Sequence, residues 1–139
     1  MNAEQHNFLV GQRVAHLATA DRNGIPHVIP ICYAVAEDRL YVAIDEKPKR
    51  HNQPLKRLRN ITENPAVAVI VDHYEEDWSR LGWVLLRGRA TLLHDGPEFT
   101  TGLALLRARY PQYDSMNLET NPIIAVHIER VTSWGTLQS

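Results

Sequence analysis

The sequence has a single cysteine, Cys32, among its 139 residues. An intramolecular disulfide is therefore impossible, which is usual in proteins of a reducing compartment. The longest aliphatic run covers only residues 66–71, far short of the roughly 20 residues that a membrane-spanning helix needs. The first residues, MNAEQH, lack the basic and apolar regions of a secretory signal. These absences predict a cytoplasmic protein with no membrane partner.

A large excess of charge of either sign is also missing. The formal net charge is -1 at pH 7, so no global attraction to nucleic acid or to anionic lipid is expected. Hydrophobic residues make up 44% of the chain and charged residues 22%, as in ordinary globular proteins. A chain of this length can form one modest hydrophobic core. We therefore expect a single domain over residues 1–139 that binds no nucleic acid.

Recognisable catalytic and metal-binding motifs are absent. No two of the seven histidines have the helical i, i+4 spacing of a zinc site. Glycine-rich phosphate loops and the glycines of a serine nucleophile elbow are missing as well. Cys32 follows Ile31 in an apolar segment, where a buried, inert thiol is the usual outcome. The sequence therefore predicts no metal site and no identifiable catalytic residue, and it favours a protein whose bound cofactor performs the chemistry.

Strand-like segments dominate the hydrophobic pattern. The stretch DRNG at residues 21–24 predicts a hairpin turn, and Gly88 predicts a bulge in a long strand. Three helices are predicted, over residues 2–12, 54–64 and 96–110, and six strands, over residues 13–20, 25–35, 39–44, 66–73, 81–93 and 123–131. Because the strands follow one another as hairpins, the predicted fold is mainly β. It is a six-stranded antiparallel sheet, closed or nearly closed into a barrel, with flanking α-helices.

Basic residues are concentrated in the middle of the chain. Six of the 15 lysines and arginines fall within 13 positions, namely Lys47, Lys49, Arg50, Lys56, Arg57 and Arg59. This basic segment, residues 47–59, spans a predicted loop and the first turns of a helix with a predicted buried stripe at Leu55, Leu58 and Ile61. Helix N-termini and basic side chains together favour phosphate. The alternative is a solvated helix face with salt bridges.

Four stretches of the sequence, taken in order, resemble the pyridoxamine-phosphate-oxidase-like split-barrel family. Residues 17–30 (LATADRNGIPHVIP) are similar to the family's opening pattern, in which a strand lies beside the flavin ring. Residues 40–45 (LYVAID) and 58–69 (LRNITENPAVAV) continue the resemblance, and residues 83–92 (WVLLRGRATL) are similar to the family's G-x-A strand. Within the family, residues 45–49 (DEKPK) and 72–78 (DHYEEDW) look most like the branch of F420-dependent, or deazaflavin, oxidoreductases.

The resemblance implies a six-stranded FMN-binding split barrel that forms a homodimer, with two cofactor sites at the subunit interface. It implies that the cofactor phosphate is held by Lys56, together with Arg57, Lys49 and Arg50. It also implies a second group of residues that reach the ring, partly through backbone atoms: His27, Val28, Ile29, Pro30 and, in the partner's site, Trp83. For Trp83 the alternative is core or interface packing, and for His27 it is a strand surface position.

Three functions remain open. The first is an oxidoreductase that uses F420 to move a hydride to or from a small organic substrate. The second is an FMN-dependent oxidoreductase of the same fold, and the third is a non-catalytic binder of F420, haem or another planar ligand. Vitamin B6 oxidation is not expected, because true pyridoxamine-phosphate oxidases have an R-x-V-L-L-K strand where residues 27–32 here read HVIPIC.

Overall fold

A computed structural model of the chain describes residues 1–45 and 55–137, and the fold reported below is that of these residues. These residues form three helices and seven strands. The helices are α1 (Ala3–Gly11), α2 (Lys56–Glu63) and α3 (Pro97–Arg109). The strands are β1 (Ala15–Ala20), β2 (Pro26–Ile31), β3 (Ala34–Ala36), β4 (Arg39–Val42), β5 (Ala66–His73), β6 (Gly82–Leu93) and β7 (Ile123–Gly135). Short 3₁₀ turns occupy Trp78–Arg80 and Pro111–Ser115.

All the described strands pair antiparallel in one sheet, in the order β2-β1-β5-β6-β7-β4-β3. The mainly β, antiparallel fold class is therefore confirmed, but the predicted count of six strands is wrong. The predicted strand over residues 25–35 is broken at Cys32 and Tyr33. The hydroxyl of Tyr110 accepts from the Tyr33 N–H and donates to the Tyr33 carbonyl, both at 3.0 Å. A side chain thus satisfies the backbone groups that a neighbouring strand would otherwise pair.

The two edge strands of this sheet, β2 and β3, are consecutive in the chain. Only Cys32 and Tyr33 separate them, so the sheet must curl until its edges meet at that point. Among the described residues no β2–β3 pairing closes the ladder, so the predicted barrel closure is not seen and the curl stays open at a seam. This seam, between the end of β2 and the strands β3 and β4, is the feature that positions the site described below.

The main core lies inside the curl of the sheet, and a second apolar cluster packs α3 against β3, β4 and β7. Inward-facing side chains alternate along the strands, as for Val67, Val69 and Val71 of β5, which are at most 7% exposed. The predicted bulge at Gly88 is present as a register shift between β6 and β7. A Cβ at that position would clash with the His127 carbonyl, so glycine lets the two backbones approach.

Helix α2 lies against β1 with a wider buried face than the one predicted. The predicted stripe packs on the core, since Ile61 is buried and Leu55 and Leu58 are partly buried against it. Arg57 and Asn60 are buried as well, and the Asn60 amide donates to the Thr19 hydroxyl at 3.0 Å. The hydrophobic pattern alone could not predict the burial of these two polar residues, because it depends on tertiary contacts.

Candidate functional site

A cleft of about 260 Å³ opens at the seam of the sheet. One wall comes from the end of β2, and the facing wall comes from the end of β4 and the residues after it. Helix α2 and the 3₁₀ turn after α3 each add one side chain. The lining residues are Val14, Pro30, Ile31, Cys32, Val42, Ala43, Asp45, Arg57 and Tyr113. The walls are thus mainly apolar, with a few polar groups, as is usual in ligand sites.

Arg57 is the basic residue of this cleft. It is only 8% exposed and lies in the first turn of α2, where the N-cap Leu55 provides no side-chain cap. The helix N-terminus therefore adds its partial positive charge to that of the guanidinium. A cationic side chain held in an apolar cleft at a helix N-terminus can bind an anionic oxygen group strongly, because little water screens the interaction.

Lys56 lies beside Arg57 in sequence but does not line the cleft. Its Nζ is 3.9 Å from Oδ2 of Asp21, in the turn between β1 and β2. The Asp21 carboxylate also accepts from the N–H groups of Asn23 and Ile25, at 2.9 and 3.0 Å. The hydrogen bond from Ile25, that from Asn23 and the charge of Lys56 lower the pKa of Asp21. The structure thus separates Lys56 and Arg57, while Lys49 and Arg50 lie outside the described residues.

The four predicted ring contacts of β2 do not share one face of the sheet. His27 and Ile29 are half-buried and face inward, whereas Val28 and Pro30 are exposed on the outer face. Only Pro30 lines the cleft. A planar ligand beside β2 could therefore contact the side chains of Val28 and Pro30, whereas those of His27 and Ile29 lie on the opposite face of the sheet.

The free edge of β2 offers an unusual set of backbone groups. The Asp21 N–H donates to the Ile25 carbonyl at 3.3 Å. In an antiparallel ladder every second pair of residues is hydrogen-bonded. Since Ile25 is bonded to the β1 side, His27, Ile29 and Ile31 are the next bonded positions, and the backbone groups of Pro26, Val28 and Pro30 point away from β1. Because proline has no N–H, the edge offers the Val28 N–H as its one donor among several carbonyls. This edge has no strand partner among the described residues.

Trp83 lies on the outer face of β6, away from the cleft of its own chain. The sheet register places it opposite Asp72 of β5 and Trp134 of β7. Trp83 is half-buried, and Trp134 is 54% exposed. Any contact between Trp83 and a ligand in a seam cleft would thus involve the cleft of a second subunit.

Five apolar residues lie on the outer face of the sheet over four adjacent strands, with His16 opposite Ile70 and Arg87 opposite Ala68 as polar neighbours. The register aligns Val28 with Ala18, Ala18 with Ala68, and Ile70 with Leu85. Val28 is 59% exposed and Ile70 is 37% exposed. Antiparallel sheets that face water usually alternate apolar inner residues with polar outer residues, so this outer face differs from an ordinary solvated surface. We call these five residues the outer apolar face.

Sequence reasoning missed Tyr113, Asp45 and the position of Cys32 in the cleft. Tyr113 follows α3, in a segment predicted to be irregular, and no local pattern connects it with residues near position 32. Burial raises the pKa of Tyr113 above its usual range, and the neighbouring Cys32 and Asp45 act in the same direction. Tyr113 is therefore a neutral phenol, able to donate a hydrogen bond, over the whole working range of pH.

Two other hollows are much larger than this cleft. One, of about 520 Å³, lies beside α1 and carries the acidic residues Glu37, Asp38 and Glu129. Another, of about 470 Å³, lies on the side of α2 that carries Arg59 and is lined as well by Arg22 and His94. Among the described residues, no three histidines, cysteines or carboxylates come together as a metal site. No helix in the described part of the chain is long and apolar enough to span a bilayer.

Comparison with known proteins identifies the family. The family model described as pyridoxamine 5'-phosphate oxidase matches residues 1–135. The chain belongs to the pyridoxamine 5'-phosphate oxidase family. The resemblance drawn from the sequence is thus confirmed, and the open, curled sheet is consistent with the split barrel of this family.

One curated relative is a 5a,11a-dehydrotetracycline/5a,11a-dehydrooxytetracycline reductase of Streptomyces rimosus. It is 26% identical over 129 residues, which cover 92% of this chain and 78% of the relative. A solved FAD-binding protein of Mesorhizobium loti is 25% identical, with a TM-score of 0.70, and the match covers 96% of this chain and 94% of that one.

A conserved hypothetical protein of Mycobacterium tuberculosis has the same fold, with a TM-score of 0.78 at 19% identity. The match covers 97% of this chain and 84% of the mycobacterial protein. The fold is therefore shared by chains of low sequence identity.

Proposed function

We propose that the protein is an oxidoreductase that binds a flavin-type cofactor, with the deazaflavin F420 as the first candidate and FMN as the alternative. The observation that carries the proposal is the buried Arg57 at the N-terminus of α2, in an apolar cleft at the seam of the sheet. Membership of an oxidase family and a reductase relative support the same class of chemistry. The substrate is a small organic molecule.

The cleft fits the phosphate end of such a cofactor. Sites that enclose a whole drug-sized ligand measure roughly 300–1,000 Å³, whereas this cleft measures about 260 Å³. It has room for a phosphate and part of its ribityl chain, and the ring system then lies outside the cleft. In this proposal Arg57 is the main phosphate ligand, and Lys56 adds positive charge from the Asp21 side of the helix. Lys49 and Arg50 are proposed as further phosphate ligands from the family resemblance alone.

The ring is proposed to lie along the free edge and outer face of β2. This position brings Val28 and Pro30 against the ring plane, while His27 and Ile29, whose backbone groups pair with β1 and whose side chains face inward, support the strand beneath the ring. The Val28 N–H provides the one backbone donor of this edge to the polar rim of the ring. When bound, a flavin or deazaflavin supplies the hydride chemistry, and the protein residues bind it, orient one ring face and exclude water.

A homodimer completes the proposed site. The outer apolar face lies next to the free edge of β2, so covering it with a second copy would bury the apolar area and one side of the ring together. Trp83, on the same side of the sheet, would then approach the cofactor of the partner. The dimer is thus proposed both to stabilise the fold and to supply one wall of the cofactor site.

Titration of the purified protein with F420 and with FMN, followed by cofactor fluorescence, tests the proposal. We expect saturable binding of at least one of the two cofactors, and a higher affinity for F420 than for FMN. We also expect turnover of reduced F420 with enone-type acceptors. Tight F420 binding without turnover on any acceptor would instead favour the non-catalytic binder. Failure of both cofactors to bind at micromolar concentrations would contradict the proposed function.

A further inference from the structure

The cleft contains a polar group that the proposed phosphate site does not yet use, the phenol of Tyr113. Tyr113 is 5% exposed, yet it lines the cleft together with Arg57, Cys32 and Asp45. Burial raises the pKa of the phenol, and the nearby Cys32 and Asp45 act in the same direction. The hydroxyl end of Tyr113 therefore faces the cleft, whereas the rest of the side chain is buried against the α3 region.

The backbone of Tyr113 is held firmly. Its N–H donates to the Tyr110 carbonyl at 3.0 Å, and its own carbonyl accepts from Met116 N–H at 3.2 Å and from Arg107 Nε at 3.3 Å. Arg107 is fixed in turn by two hydrogen bonds to Glu119, at 3.1 and 2.8 Å. These contacts hold the phenol at one position before any ligand arrives, which lowers the ordering cost of binding.

The ring of Tyr113 is also fixed. It packs against the ring of Tyr110 at a centroid distance of 5.6 Å with the planes tilted by 56°. The Tyr110 hydroxyl is itself bonded to both backbone groups of Tyr33, at 3.0 Å each. Tyr113 is thus attached to the same seam that opens the cleft, although it lies 81 residues after Cys32 in the chain.

The chemistry of this group complements that of Arg57. A phenol offers one O–H donor and no charge, while a guanidinium offers forked donors and a positive charge. An anionic oxygen group between them would receive charge compensation from Arg57 and a directed hydrogen bond from Tyr113. The thiol of Cys32 is only a weak hydrogen-bond acceptor. The Tyr113 hydroxyl would therefore gain by donating to an anionic oxygen in place of the thiol.

We infer that Tyr113 is a ligand-binding residue of the seam cleft, whose hydroxyl donates to the phosphate of the bound cofactor. The inference rests on the proposed function, because it takes the phosphate ester of F420 or FMN as the ligand. It goes further by placing one donor of the phosphate site on the segment after α3, outside the basic segment. The phosphate is therefore held from two parts of the chain that the fold brings together.

The test compares three single-group variants by titration with F420 and with FMN. Tyr113→Phe keeps the buried ring and removes only the hydroxyl, and we expect it to weaken binding of the preferred cofactor about tenfold, as for a hydrogen bond to a charged group. Cys32→Ala removes the thiol beside the phenol, and its loss of affinity should be clearly smaller than that of Tyr113→Phe. Tyr41→Phe is the matched control, because its hydroxyl bonds to Glu98 at 2.9 Å, outside the cleft lining.

The outcomes separate this inference from the proposed function. Unchanged affinity in Tyr113→Phe, with a cofactor that binds the unmodified protein, would overturn the inference and leave the proposed function intact. An equal loss in Cys32→Ala would also overturn it, since the phenol would then act through the thiol. If neither cofactor binds the unmodified protein, the proposed function itself fails. Thermal melting of each variant confirms that the comparison is made between folded proteins.

Discussion

At the scale of single residues, the structure changes which member of the basic segment is expected to matter most. The resemblance gave Lys56 the leading role, but Lys56 faces Asp21, whereas Arg57 is buried in the cleft. Composition could locate the basic segment, because clustering is visible in the sequence. It could not decide between neighbours on a helix, because the direction of each side chain depends on how α2 lies against β1.

Arg57→Ala should therefore weaken cofactor binding more than Lys56→Ala. We expect a loss of about 1.5–3 kcal/mol for Arg57, the scale of a charge-assisted hydrogen bond, and less than 1 kcal/mol for the more exposed Lys56. Arg59→Ala is the control, because Arg59 is exposed and lines a different hollow. Fluorescence titration with F420 measures all three, and a larger loss for Lys56 than for Arg57 would restore the original assignment.

The single thiol of the chain reports on occupancy of the cleft. Cys32 is partly exposed and lines the cleft, so a ligand there should block its alkylation. We expect iodoacetamide to modify Cys32 in the free protein several times faster than in the presence of saturating cofactor, measured by mass spectrometry. Equal rates with and without a cofactor that is shown to bind would place the ligand elsewhere.

At the scale of elements, local patterns predicted what local contacts determine. The helix predicted over residues 2–12 is present as α1, and it begins with a capping box of Asn2 and Gln5 whose hydrogen bonds measure 2.8–2.9 Å. The turn at residues 21–24 joins β1 to β2 as expected. The break between β2 and β3 was not predictable, because it depends on the Tyr110 hydroxyl, 77 residues away. The burial of Asn60 on α2 was missed for a similar reason, since it depends on the contact with Thr19.

Tyr110→Phe should test how much this break depends on one hydroxyl. The variant leaves the buried Tyr33 N–H and carbonyl without their partner, and an unsatisfied buried group costs about 1–3 kcal/mol. We expect the free energy of unfolding to fall by about that amount in urea titrations with an unchanged m-value. Tyr74→Phe, at an exposed position, should change stability by less than 0.5 kcal/mol, the usual limit for surface substitutions.

At the scale of the whole molecule, one curled sheet explains the cleft and the free edge together. Because β2 and β3 are consecutive strands at opposite edges of the sheet, the topology brings the two edges together at a seam. The same topology leaves β2 without a second strand partner among the described residues. A ligand placed at this seam would then lie beside Val28, at the end of the outer apolar face.

The proposed homodimer gives the final prediction. Ile70 lies near the middle of the outer apolar face and is 37% exposed, so a charge there should oppose the association of two copies while sparing the core. We expect Ile70→Asp to convert a dimer into a monomer in sedimentation analysis, with thermal melting confirming that the monomer is folded. Val10→Asp is the matched control, because Val10 is a 49% exposed apolar residue on α1, away from this face.

The same variant connects assembly with function. If Trp83 of one subunit helps to enclose the cofactor of the other, monomeric Ile70→Asp should bind F420 or FMN more weakly than the unmodified protein, although Arg57 and Tyr113 are unchanged. Trp83→Ala should then weaken binding in the dimer but have no effect in the Ile70→Asp background. A monomeric unmodified protein, or equal cofactor affinity in monomer and dimer, would show that each seam cleft is complete within its own chain.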